Sequence, residues 1–188
     1  MSYETLLYKS EGPIATVTLN LPKKFNTIRP PMPDEIAAAM EKASKDPEVR
    51  VIVLQGAGST FCAGFDFSGN LEQYDELGVS LKPEDYDPGR DVMAMTSPFT
   101  GPVPKFMSIW RNPKPVICKI HGWCVGGGSE MALCADIVVA ANDARLGTPY
   151  ARVWGCHLTG MWIYRLGLTK AKQYALTGDS ISGRDAAE

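Results

Sequence analysis

No stretch of the sequence is long and apolar enough to cross a bilayer. Its opening, Met1-Ser-Tyr-Glu-Thr5, has neither the basic nor the apolar region of a secretory signal. The expectation is a cytoplasmic protein with no membrane partner. Excess charge is also missing: 19 Lys and Arg against 21 Asp and Glu leave a formal net charge of −2. That balance provides no electrostatic footprint for nucleic acid or an anionic surface. There are two histidines, His121 and His157, and five cysteines at 62, 118, 124, 134 and 156, with no C-x-x-C pair. This odd, scattered set argues against a disulfide framework and against a zinc site; the cysteines read as small core hydrophobes. The chain has a glycine triplet, but no Gly-Lys-Ser/Thr follows it and its spacing is not that of a dinucleotide fingerprint, which argues against nucleotide binding.

What is present fits a globular domain. The 188 residues are 45% hydrophobic and 21% charged, enough for one core and an expected single domain over 1–188. Residues 5–8 and 14–19 read as two strands around Gly12-Pro13. In the second, Ala15, Val17 and Leu19 point one way and Ile14, Thr16 and Thr18 the other. Residues 34–44, alanine-rich and opened by Asp34 and Glu35, predict a helix, and the apolar run at 49–54 a buried strand. A helix is expected at 71–77, then a long irregular insertion over 78–104, studded with prolines and glycines, as a lid or binding loop. Residues 105–111 predict a short helix, 115–120 a strand, 131–134 a helical segment, and 136–140 and 144–146 strands. Two helical segments are expected around Gly167. The alternation predicts an α/β domain, and a strand-turn-helix unit recurring every 45 to 60 residues predicts a coiled stack of such units.

The stretch with most chemistry is His121-Gly-Trp-Cys-Val-Gly-Gly-Gly-Ser-Glu130, between a strand and a helical segment. Three consecutive glycines at a helix start expose main-chain N–H groups, and the helix dipole adds positive character there. Glu130 places a carboxylate in the same turn, a pairing suited to proton transfer beside a polarised carbonyl. The same residues also suit a close strand-to-helix turn in which Glu130 only compensates the dipole.

Taken with Cys62-Ala-Gly-Phe-Asp66, this stretch resembles the two signature segments of the enoyl-CoA hydratase/isomerase, or crotonase, family, each following its expected strand. Residues 14–20 with Pro22 and Asn26, and residues 177–186, resemble the family's first hairpin and a later helix-turn pattern, so the likeness runs across essentially the whole chain. It implies a crotonase-like superhelix of repeated β-β-α units, lacking the C-terminal helices that close the acyl pocket and pack trimers. It also implies an acyl-CoA enzyme, a homotrimer or dimer of trimers, hydrating 2-enoyl-CoA to 3-hydroxyacyl-CoA. Double-bond isomerisation, other acyl-CoA lyase or hydrolase chemistry, and silent thioester binding are the alternatives. No cofactor is implied beyond the CoA of the substrate.

By the same resemblance, the backbone N–H groups of Phe65 and Gly127 form an oxyanion hole, Glu130 is the acid/base, and Ala63, Gly64, Asp66, Gly126 and Trp123 contact substrate. Where the family's second glutamate is expected, after a proline, this chain has Tyr150, and the loop before Gly155 is about three residues short. Tyr150 can orient substrate through its hydroxyl or simply pack; with an ordinary pKa of about 10 it is a poor base at neutral pH. Asp66 also suits a turn brace, Asp136 a hydrogen bond at a strand start, Lys23 and Lys24 a contact with CoA phosphates, and His157 a second, weaker catalytic candidate. The tryptophans Trp123, Trp154 and Trp162 read as core or pocket wall.

Overall fold

The computed structural model describes residues 3–68, 83–152, 155 and 158–188. The helix expected at 71–77, together with Trp154, Cys156 and His157, lies outside them. The hairpin forms as expected, with β1 (Leu6–Glu11) and β2 (Ile14–Leu19) antiparallel, Leu6 opposite Leu19 and Glu11 opposite Ile14. Ala15, Val17 and Leu19 are fully buried while Ile14 is exposed, the period-two alternation of a half-buried strand. Helix α1 (Met32–Lys45) starts earlier than the acidic pair suggests, because Pro33 sits in the first turn, where its missing N–H is no loss. Its buried face is Met32, Ile36, Ala39, Met40 and Ala43, at helical spacing.

After α1 the chain returns as β3 (Val51–Gly56), parallel to β2; β4 (Val116–Ile120) and β6 (Ile137–Ala140) add parallel strands, giving the order β1-β2-β3-β4-β6. A second sheet contains β5 (Trp123–Val125), β7 (Arg145–Gly147) and β8 (Ser180–Ser182). Successive turns of chain thus give one strand to the large sheet, one to the small sheet and then a helix. The passage β4, β5, α4 (Gly127–Ala132) is followed by β6, β7, α5 (Met161–Thr177). This is the recurring unit read from the sequence. The three-residue strands β5 and β8 were not foreseen, being too short to show periodicity. Asp136 does bond at a strand start, its Oδ2 accepting the Val116 N–H at 2.8 Å.

The proline-rich stretch over 78–104 corrects the expectation. Residues 83–104 are not irregular: a 3-10 turn (Pro83–Asp85) precedes α2 (Pro88–Thr96), and α3 (Pro102–Trp110) starts three residues before the predicted helix. Pro88 and Pro102 are first-turn residues of their helices, so they start helices rather than break them. Asp87 caps α2 by accepting the N–H of Gly89 at 2.8 Å and of Arg90 at 3.3 Å. At the corner between the helices a Cβ on Gly101 would lie 2.3 Å from the Met95 carbonyl oxygen. The two helical segments expected around Gly167 do form: they make up α5 and meet at Gly167, whose backbone is non-helical at φ 74° and ψ 164°. One apolar core joins Ile52 and Leu54 of β3, Cys118 of β4, Phe106 and Ile109 of α3, and Trp162 of α5. No described helix is long and apolar enough to cross a membrane.

Candidate active site

A parallel bridge between Cys62 and Cys124 brings the two signature segments together. The Cys62 N–H donates to the Trp123 carbonyl at 3.1 Å, and the Val125 N–H to the Cys62 carbonyl at 3.1 Å. Carrying that register forward three residues sets Phe65 against Gly127. Side-chain contact agrees: a Cβ on Gly127 would lie 2.6 Å from Phe65 Cε2 and 2.9 Å from Ile28 Cδ1. Ile28 also bridges Phe65, since the Gly64 carbonyl accepts from the Ile28 N–H at 2.7 Å and the Asp66 N–H donates to the Ile28 carbonyl at 2.9 Å. In extended chain alternate residues present their peptide groups to opposite sides, so the Phe65 N–H is turned away from Ile28. Among the described residues the Gly127 N–H has no protein acceptor, because the amides that close the turn, Ser129 and Glu130, both donate to the Gly126 carbonyl. Phe65 and Gly127 line the same cavity, of about 190 Å³.

Only glycine fits this turn. Gly126 holds φ 53° and ψ −129°, and Gly64, at φ 91°, approaches so closely that a Cβ would sit 3.1 Å from the Val125 carbonyl oxygen. A Cβ on Gly128 would lie 2.7 Å from the Cys62 carbonyl oxygen. The helix α4 that follows has six residues, too few for the dipole invoked from the sequence. What the turn offers an anionic oxygen is the amide donors themselves.

Glu130 is completely buried and is not among the described residues of the cavity wall. Its Oε2 accepts two hydrogen bonds from Thr159, from the N–H at 3.0 Å and from the hydroxyl. The buried Ser129 hydroxyl donates to the Gly126 carbonyl at 2.7 Å and accepts the Trp162 indole N–H at 3.0 Å. Trp162 is therefore core, and it ties the glycine turn to α5. Sequence reasoning missed Thr159 and Ser129. Nothing in local spacing marks Thr159, 29 residues beyond Glu130.

Ala63, Gly64, Gly126 and Tyr150 line the cavity beside Phe65 and Gly127. Tyr150 is half-buried, on a 3-10 turn (Pro149–Ala151), and its ring fills the space a Gly155 side chain would need, 2.9 Å from the nearest ring carbon. Asp66 and Trp123 are not among the described residues of this cavity's wall. Asp66 is outside the cavity wall: its Oδ1 accepts from the Ser68 hydroxyl at 2.6 Å and N–H at 2.9 Å, and its Oδ2 is 3.5 Å from Lys24 Nζ. The Ser68 hydroxyl, with its N–H and Lys24, outweighs burial and holds the Asp66 carboxyl below the usual range, so this aspartate braces the turn. Trp123 is 51% exposed and lines a neighbouring open groove with Phe25, Thr60 and Arg152. That groove shares Ala63, Val125 and Pro149 with the cavity.

The cavity wall also contains Asp91 of α2, which no sequence motif singled out. Its signal was the Asp87-Pro88 cap-and-proline start of a helix, which puts Asp91 and Met95 on one face, four residues apart. Solvent reaches 3% of its surface, and Oδ1 has no hydrogen-bond partner among the described residues. Desolvation raises its pKa above the ordinary carboxyl value. The thiols nearby are not nucleophiles: Cys62 is fully buried, and burial pushes it up to about 12.

Comparison with known proteins assigns this architecture. The family model for enoyl-CoA hydratase/isomerase matches residues 9–188. Mevalonyl-coenzyme A hydratase SIDH of Beauveria bassiana is 36% identical over 176 residues, 92% of this chain and 59% of that protein. The 1,2-epoxyphenylacetyl-CoA isomerase of Escherichia coli is 30% identical over 188 residues, 98% of this chain and 67% of that protein. The crystal structure of an enoyl-CoA hydratase from Mycobacterium smegmatis superposes with a TM-score of 0.85 at 39% identity, covering 99% of this chain and 63% of that one. The chain therefore spans about three fifths to two thirds of the length of these relatives, with the crotonase fold over that span. It belongs to the enoyl-CoA hydratase/isomerase family.

Proposed function

We propose that this chain adds water across the double bond of a 2-enoyl-CoA thioester, giving the 3-hydroxyacyl-CoA. The reading is supported by one observation: the signature segments run in register, and Phe65 and Gly127 line one cavity. Addition at C3 moves the double-bond electrons toward the thioester oxygen, and fixed N–H donors at that oxygen stabilise the enolate. Each such donor contributes about 3–4 kcal/mol to the barrier. The acyl group occupies the cavity, and the CoA arm leaves along the groove lined by Trp123 and Arg152. Glu130, three residues beyond Gly127 and fixed by Thr159, acts as acid/base beside the glycine turn. The donors are main-chain groups, so no cofactor is required beyond the substrate's CoA, and chelator treatment leaves turnover unchanged.

Loss of the conjugated enoyl-thioester absorbance with crotonyl-CoA tests the reading, with Glu130→Gln alongside. Turnover that falls about 10²–10⁴-fold in the variant supports hydration. Binding of the thioester by both proteins without turnover would defeat it. A second reading, double-bond isomerase, is favoured by Tyr150 standing where a second glutamate is expected. Such an enzyme needs one carboxylate to carry a proton between carbons, and rearrangement of a 3-enoyl-CoA would reveal it.

A further inference from the structure

We propose that Asp91 is a catalytic carboxylate of this enzyme, acting on C3 of the acyl chain from the apolar wall of the cavity; this rests on the enoyl-CoA reading above. The wall is otherwise nearly devoid of acid/base groups: among its described residues only Asp91 and Tyr150 have ionisable side chains. Phe67, Met95 and Leu158 of the same wall offer no polar side-chain group. A carboxyl with solvent reaching 3% of its surface and an unpartnered Oδ1 costs stability unless something repays it. A ligand that hydrogen-bonds inside the cavity does so.

Among the described residues no charged side chain pairs with Asp91. Asp87 and Arg90 of its own helix are exposed, and Lys105 of α3 pairs with Asp34 at 2.9 Å. Glu130 is held by Thr159, and Tyr150 is the other titratable group of the cavity's described wall. Asp91 is thus the carboxylate of the described wall, and with Glu130 of the glycine turn it makes a pair assembled from α2 and α4 although position 150 is tyrosine.

The step balances without further reactants. The Asp91 carboxylate takes one proton from water as the water oxygen bonds to C3. The electron pair of the C2–C3 double bond moves toward the thioester, and the enolate oxygen rests on the Phe65 and Gly127 amides. The enolate then collapses as C2 takes a proton from the Glu130 carboxyl, and Asp91 passes the water's proton on to Glu130 through the new 3-hydroxyl, so both residues end as they began. Water is added and nothing is oxidised or reduced. Desolvation strengthens Asp91 as a base at neutral pH.

The test compares wild type, Asp91→Asn and Asp91→Glu in crotonyl-CoA hydration from pH 5 to 9, and in calorimetric binding of butyryl-CoA and 3-hydroxybutyryl-CoA. Asp91→Asn is expected to lower kcat about 10²–10⁴-fold with little change in KM and to abolish the acidic limb of the kcat profile. Asp91→Glu recovers part of the rate. Wild type binds the 3-hydroxy thioester more tightly than the saturated one, and Asp91→Asn loses that preference. Turnover within about five-fold of wild type with the acidic limb intact, or an unchanged binding preference, overturns the role of Asp91 and leaves the enoyl-CoA reading standing. If wild type binds neither thioester, the enoyl-CoA reading fails, and the role of Asp91 with it.

Discussion

At the residue scale the site depends on where side chains are absent. Gly127 exposes its amide because it has no Cβ to meet the Phe65 ring. Gly127→Ala keeps the N–H but pushes Phe65 and Ile28 aside, parting the two donors. The expected result is a kcat lowered about 10²–10³-fold, measured in crotonyl-CoA hydration, against a stability cost of about 1–3 kcal/mol in urea unfolding, the usual penalty of overpacking. Thr159→Val removes the hydroxyl but not the N–H from Glu130 Oε2. It lowers turnover less than Glu130→Gln does, because the carboxylate remains and only its orientation loosens. Asp91 makes an opposite prediction for stability. Its folded pKa is raised above the ordinary 3.8, so the fold favours the protonated form. That contribution is complete below the ordinary value and is lost as pH rises through the folded one. Asp91→Asn, always neutral, is therefore more stable than wild type at pH 7, and the difference fades toward pH 3. Denaturant midpoints at the two pH values check this.

At the element scale, the loops that set the glycine turn are held by buried polar side chains. Asn26 is fully buried, accepts the Leu21 N–H and donates from Nδ2 to the carbonyls of Ala57 and Thr60, each bond 2.8 Å. Asn26→Ala leaves these groups unsatisfied and should cost about 3 kcal/mol in urea unfolding. The larger elements were legible in the sequence because they repeat: the alternation in β2, the alanine-rich face of α1 and the apolar runs of β3 and β4 survive any context. The two signature segments were legible as motifs, since the close backbone approach at Gly64 and the positive φ at Gly126 demand glycine. Other features were not. Prolines that start α2 and α3 read as breakers, which hid Asp91. Thr159 meets Glu130 only through tertiary packing of the start of α5 against α4. The bond of Asp66 to Ser68 and the groove lined by Trp123 likewise come from tertiary packing rather than from the motif.

At the scale of the whole molecule, the alternation of strands between two sheets places the glycine turn, the Tyr150 turn and α2 around one cavity. The edge strand β6 leaves Ile137 and Val139 exposed at 53% and 54%. Helix α5 adds Leu168 and Leu176, exposed at 54% and 76%. Apolar surface at a sheet edge and along a helix is suited to self-association. The chain is expected to sediment as an oligomer; a monomer at micromolar concentration would contradict that. The central claim is that the Phe65 and Gly127 amides converge on the thioester oxygen, and the most direct measurement is the carbonyl stretch of crotonyl-CoA, 13C-labelled at C1, bound to the protein. Infrared difference spectra should show that band shifted to lower frequency than in water, and the shift should shrink in Gly127→Ala. A bound thioester whose carbonyl absorbs where it does in water would contradict the account.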